Sequence, residues 1–356
     1  MKHIPVAAVR TSPDTVFDDY YRLMHLASYT DYIDQRHTTA LNIDLSWHHF
    51  TPACSTAPWQ LDGVIQTLLA DGFTKDSIVA CFPERRGITS EKGQVLNRHR
   101  QVIQRHGIGN VHLAHDGTWT AYQPKSPMRV LSDVFPDGIP VPEQRIGANA
   151  LHLPTMKTDV LGTIAGAVYT IFEGLLDSHS TDAYHVLHEA YVDALALEKE
   201  LSPGCFAIMD GVIAGEGASP RCPVPHEKNV LLASPDPVAL DTVAAHMMGI
   251  DPMTVPYIRI AHEAGVGTGT MADIELIGDP IDDMKSNFRI DDTGKEARFR
   301  KKEATRNGRQ PSLVTRLRSF VYHDMTWFKN MREDFVRDFR KGAWGNLFES
   351  YRTRVD

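Results

Sequence analysis

Apolar residues along the chain fall into two recurring patterns. Short, densely apolar runs predict strands at Val6–Val9, Ala40–Leu45, Ser77–Phe82, Asn110–Leu113, Ala148–Leu153, Cys205–Met209, Asn229–Ala233 and Ile274–Ile277. Longer stretches with apolar positions on one helical face predict helices at Thr15–Ala27, Pro58–Ala70, Gln94–His106, Val160–Leu176, Ala183–Lys199, Pro237–Met248 and Met253–Ala264. Punctuation supports several boundaries. Pro58 suits a first helical turn with Thr56 as a candidate cap, Asp236-Pro237 reads as an N-cap followed by proline, and Gly249 closes the same helix.

Strands separated by helices predict an α/β fold with a largely parallel sheet covered by helices on both faces. Ligands of such sheets bind beyond the carboxyl ends of the strands. Function is therefore expected in the loops after Leu45, Phe82, Leu153, Met209 and Ala233. The α/β domain is assigned to residues 1–280, followed by a charged linker or solvated helix at 281–311. Residues 312–356 regain helical spacing, with Leu313, Leu317, Phe320, Val321, Phe328, Met331, Phe335 and Phe339, and predict an amphipathic α-helical C-terminal extension.

Charge sharpens this division. From Ile281 onward 18 basic side chains face 12 acidic ones, a balance of +6 in a chain of net charge −8. The preceding body is correspondingly acidic, which argues against phosphate-mediated binding of nucleic acid. The extension also holds nine of the thirty aromatic residues, among them Trp327, Trp344, Phe348 and Tyr351. Packing on the chain's own body or on a second copy is the favoured reading, and contact with a membrane surface the disfavoured one. Nothing approaches the apolar length of a membrane span, and the first residues enter a strand without a signal-peptide core; a cytoplasmic protein is expected.

Three polar signals could carry chemistry. In Met209-Asp210-Gly211 through Glu216-Gly217, an apolar strand ends in Asp210 and a glycine-rich stretch presents Glu216. Two carboxylates at such a loop could act as acid and base or hold a hard cation, although Asp-Gly segments are commonly plain turns. In Ser234–Asp241, Asp236 reads as a helix cap, while Asp241 is an acid among apolar neighbours inside the helix. In His152–Asp159, Lys157 and Asp159 leave a strand end just before a predicted helix, where a lysine and free amides make an anion site. Asp210, Glu216 and Asp241 are thus the candidate catalytic residues, and Lys157, Asp159 and Asp236 the candidate ligand contacts. Histidines such as His48-His49 read as surface residues, with His226 the one closest to the Glu216 stretch. No C-x-x-C pair occurs among Cys54, Cys81, Cys205 and Cys222, so the spacing argues for buried thiols and against a ferredoxin-type iron–sulfur cluster.

Taken in order, these pieces resemble the domain-of-unknown-function family 362. The matching residues are Pro154-x-x-Lys157-Thr158, Met209-Asp210-Gly211 with Glu216-Gly217-x-x-Pro220, Ser234-x-Asp236-Pro237-x-Ala239-x-Asp241, and Met248-Gly249-x-Asp251-Pro252. The resemblance implies the α/β fold and, through the iron–sulfur modules linked to many members, a redox role. The chain departs from the pattern at Asp159, where the family often has histidine, at Tyr169-Thr170 in place of Lys-Asn, and at Asn42–Trp47 in place of a Lys-Pro-Asn strand end. The expectation is an enzyme of unassigned reaction acting on a small molecule, with a divalent cation if the carboxylates cluster. A non-catalytic binding or scaffold protein is the alternative.

Overall fold

The computed structural model describes residues 3–84, 87–305, 317–318 and 320–352. These residues form twelve strands: β1 (Ile4–Arg10), β2 (Thr39–Ile43), β3 (Ile78–Phe82), β4 (Gly109–His112), β5 (Trp119–Tyr122), β6 (Ile139–Pro142), β7 (Asn149–Leu153), β8 (Thr155–Asp159), β9 (Thr163–Ile164), β10 (Cys205–Ala218), β11 (Cys222–Ser234) and β12 (Ile274–Gly278). The main sheet runs β12-β1-β11-β10-β7-β2-β3-β4, with β8 on β10 and β9 on β8; β5 and β6 pair separately. Neighbours from β10 through β7, β2 and β3 to β4 are parallel, and so are β1 and β12, while β11 runs antiparallel to both β1 and β10.

The central parallel strands β2, β3 and β7 are buried on both faces, which is why they read as dense apolar runs. Helices Ala167–Leu176, Leu187–Leu201, Pro237–Met247 and Pro256–Glu263 cover one face and share a core with Ala207, Met209 and Leu232. Helices Val16–Leu26, Pro58–Ala70 and His99–His106 cover the other, packed on Leu41, Leu151, Ile208 and Leu231.

Several expectations are revised. The glycine-rich stretch after Met209 is not a loop: β10 continues to Ala218 and pairs with β11 as a long hairpin. Gly215 serves close packing, since a Cβ there would lie 2.9 Å from the Cβ atoms of both Lys157 and Pro223. The helix predicted from Val160 begins at Ala167, because the residues before it form β8 and β9. The helix predicted over Gln94–His106 is broken at Arg98, whose φ of 67° is left-handed. Thr56 is not a cap: the helix is entered through Ala57, and the Thr56 hydroxyl donates instead to the carbonyl of Leu153 at 2.6 Å. His48, expected on the surface, is buried and stacks on Trp47.

The charged segment after Gly278 is also more than a linker. Helix Lys295–Ala304 buries Glu296, Ala297 and Arg300. A π-helical segment, Val321–Arg332, leads into helices Glu333–Lys341 and Ala343–Ser350. Leu313 of the predicted tail pattern lies outside the described residues. Among those described, no helix is long and apolar enough to cross a membrane.

Candidate functional site

β2 ends at Ile43, and the next residue, Asp44, turns its carboxylate across the carboxyl edge of the sheet. Its backbone is pinned by Thr56, whose hydroxyl accepts from the Asp44 amide at 2.9 Å. Lys157, in the middle of β8, reaches the same place: its ammonium donates to Asp44 Oδ2, and both side chains are fully buried. Ser46 donates to the other Asp44 oxygen at 2.8 Å and lies 3.3 Å from the Tyr169 hydroxyl, while the lysine sits 5.9 Å from the centre of the Tyr169 ring.

Two residues along β8, Asp159 points the same way. One oxygen accepts from the Leu161 amide at 3.1 Å, and the other is buried with no partner among the described residues. Burial pushes this carboxyl up, against a weaker downward pull from Arg300. Arg300 comes from helix Lys295–Ala304, lies over the Tyr184 ring and donates to its hydroxyl at 3.3 Å. Tyr184 in turn donates to Glu173, which also accepts from Ser180. On the far side, Arg221 lies over the Trp47 ring, whose centre is 5.4 Å from that of His323 in the π-helical segment. The result is a buried polar layer on the carboxyl ends of the parallel strands, roofed by helix Lys295–Ala304 and the π-helical segment.

Of the residues singled out in the sequence, Lys157 and Asp159 belong to this layer, though on a strand and not at a helix N-terminus. The anion at the N-terminus of helix Ala167–Leu176 is Asp241. Its carboxylate accepts from the Ala167 and Val168 amides at 2.6 and 3.1 Å and from the Tyr257 hydroxyl at 2.8 Å. Asp210 lies beneath the opposite face of the sheet, accepting from Tyr20 and Trp59 at 2.8 Å each and from the Val212 amide. Burial pushes the carboxyls of Asp210 and Asp241 up to about 6. Glu216 stands farther out on the hairpin, paired with His226 at 2.7 Å and accepting from the Arg289 amide. The three candidate catalytic acids therefore do not share a cleft.

Asp236 is at the other edge of the sheet. One of its oxygens caps helix Pro237–Met247 through Val238 and Ala239, and the other accepts from the Thr268 amide at 2.9 Å. It borders an open cavity of about 500 Å³ with Lys199, His262 and Gly267. The residues that sequence reasoning missed are Asp44, Ser46, Tyr169, Glu173, Arg221, Arg300, Glu296 and His323. The one local signal was an acid near the end of a predicted strand, Asp44 in Ala40–Leu45.

The architecture defines an α/β protein with a mostly parallel sheet and a charged, buried layer where such sheets carry their ligands. A family model described as a domain of unknown function (DUF362) matches residues 40–246, more than half of the chain, and the chain belongs to that family. It is also similar to the thylakoid-associated protein sll1697 of Synechocystis sp., with 30% identity over 123 residues. That stretch is 33% of this chain and 37% of the relative, so the match spans well under half of the relative's length.

Proposed function

We propose that the chain is an enzyme that acts on a small molecule in the buried polar layer. Lys157 supplies the contact for an anionic group, and Asp159 is the proton-carrying carboxyl. The observation that supports this most strongly is the fully buried Lys157–Asp44 pair. Taking two charges out of water costs several kcal/mol per ion, and an apolar pair of the same volume is commonly as stable or more so. Stability alone is therefore a weak reason for the pair, whereas a ligand anion can take the place of Asp44 on the lysine. Asp159 adds a carboxyl whose pKa is raised by burial and whose second oxygen has no described partner, features suited to handing over a proton. In this reading Asp210 and Asp241 are structural, the first holding Tyr20 and Trp59 and the second the N-terminus of helix Ala167–Leu176, and Glu216 steadies the hairpin. None of the four cysteines forms a disulfide, which fits a reducing compartment, and we place the chain in the cytoplasm.

The test is thermal unfolding of the full chain against inorganic phosphate, pyrophosphate, short dicarboxylates and mononucleotides. At least one of them should raise the midpoint. Lys157→Met should abolish that response, and Ser46→Ala should fold normally and weaken it. A wild-type chain indifferent to the whole panel, or a Lys157→Met variant that responds equally, overturns the reading.

A further inference from the structure

At the rim of the polar layer, three metal-ligating side chains converge from three separate segments. Cys222 opens β11, Glu296 lies in the first turn of helix Lys295–Ala304, and His323 belongs to the π-helical segment. Their thiol sulfur, carboxylate oxygen and imidazole nitrogen all lie within 4.8 Å of one another, and all three residues are buried. His323 Nε2 and one Glu296 oxygen are hydrogen-bonded. The other oxygen, Glu296 Oε1, is buried with no partner among the described residues. A buried carboxylate oxygen that receives no hydrogen bond is uncommon, and the charge of this group is held by His323, Arg221 and Arg300 nearby. The rings of Trp47, Phe299 and Tyr322 stand around His323, with centres 5.4, 5.6 and 4.9 Å from its own, and keep water from the group.

We propose that Cys222, Glu296 and His323 bind a divalent transition metal of the zinc class. A sulfur, a nitrogen and a carboxylate oxygen are the donors zinc takes, and three protein ligands leave a fourth tetrahedral position for a water or a ligand. Ligand atoms around such an ion stand roughly 3.3–3.8 Å apart, from bond lengths near 2.0–2.3 Å, so small side-chain adjustments close the site. Binding replaces the His323–Glu296 hydrogen bond. The thiol proton and any imidazolium proton leave to solvent, and thiolate and carboxylate together balance the charge of the ion. Because the ligands span the hairpin, helix Lys295–Ala304 and the π-helical segment, the metal also ties the roof to the body. A second group, Glu84, Glu91 and His115, is partly exposed and offers no such enclosure.

This inference is independent of the role proposed for Lys157, and its test reads metal and not substrate. Full-length chain is stripped with chelator, dialysed against Co(II) or Zn(II), and assayed for bound metal and for the near-ultraviolet thiolate-to-cobalt charge-transfer band. One equivalent with a strong band is expected. Cys222→Ser should lose the band, and Glu296→Gln and His323→Ala should each weaken binding at least tenfold. Circular dichroism of the metal-free variants checks their fold. Wild-type chain that takes up no metal, or takes it up without the band, overturns the proposal whatever the variants do. A band that survives Cys222→Ser comes from another thiol and overturns it equally.

Discussion

At the scale of single residues, two acids show how the same side chain is used in opposite ways. Half-buried Asp236 gives one oxygen to a local demand, two amides of the helix it precedes, and the Asp-Pro dipeptide announced that cap. Asp210 answers distant ones, since Tyr20 is 190 residues away and Trp59 is 151. Nothing near Asp210 in the sequence foretold that a phenol and an indole would take its oxygens, so it read as a free carboxylate at a loop. Its native pKa of about 6 lies above the ordinary value of 3.8, with burial outweighing three hydrogen bonds that favour the ionised form. The sign of the pH effect follows. Below the unfolded pKa both states hold the proton and the native state carries no penalty. As pH rises from there through 6, the unfolded chain ionises first and stability is lost. Two pKa units correspond to about 3 kcal/mol. Urea unfolding between pH 4 and 7 should therefore show wild type losing up to about 3 kcal/mol relative to Asp210→Asn, other groups being common to both. Parallel curves for the two proteins would remove the native pKa shift from Asp210.

At the scale of elements, the strands that cross the core were legible because burial on both faces leaves little but apolar side chains, as in Ile78–Phe82 and Asn149–Leu153. The outer half of the hairpin was not. Gly211, Gly215, Gly217, Pro223 and Pro225 are turn residues by composition, yet here they are strand residues: neighbouring strands approach Gly211 and Gly215 closely, and Gly217 takes a φ of 90°. Prolines fit because β1 pairs with β11 only near Val230–Ala233, which leaves the earlier part of β11 without a partner on that side. β8 was hidden for a different reason. Thr155, Met156, Lys157, Thr158 and Asp159 are all buried, but only Met156 is apolar, so the segment leaves no apolar period. The Lys157–Asp44 pair bridges 113 residues and could not be read from either end. These contacts make a prediction for the hairpin. Gly215→Ala places a methyl group against two Cβ atoms that belong to backbone-fixed positions, and should cost about 1–3 kcal/mol through overpacking. Denaturant unfolding measures it. A neutral substitution would show that β8 can move away from β10 without loss.

At the scale of the whole molecule, an acidic body and a basic extension suggest attraction by charge, but the described contacts are mostly aromatic. Trp344 lies 5.1 Å from the Trp59 ring and donates to Asn229 at 2.7 Å; Phe348 stacks on Phe50 at 3.9 Å. Tyr351 donates to the buried carboxylate of Asp62 at 2.9 Å, and Arg332 to the carbonyl of Phe50. Trp344 and Phe348 are almost fully buried in the core formed with helices Val16–Leu26 and Pro58–Ala70. Removing a large buried aromatic costs about 3–5 kcal/mol. Trp344→Ala should therefore lower the unfolding midpoint markedly, whereas raised salt should leave the wild-type midpoint nearly unchanged, because screening weakens exposed charges and not buried rings. The same burial removes these rings from any lipid surface. Wild-type chain should accordingly stay in the supernatant when sedimented with anionic vesicles. Trp344→Ala, with the last two helices loosened, should pellet more readily or self-associate, since an aromatic face lined by basic side chains is then uncovered. Wild type that pellets with vesicles, and does so less after Trp344→Ala, would make the extension a membrane contact and the packed arrangement its resting form.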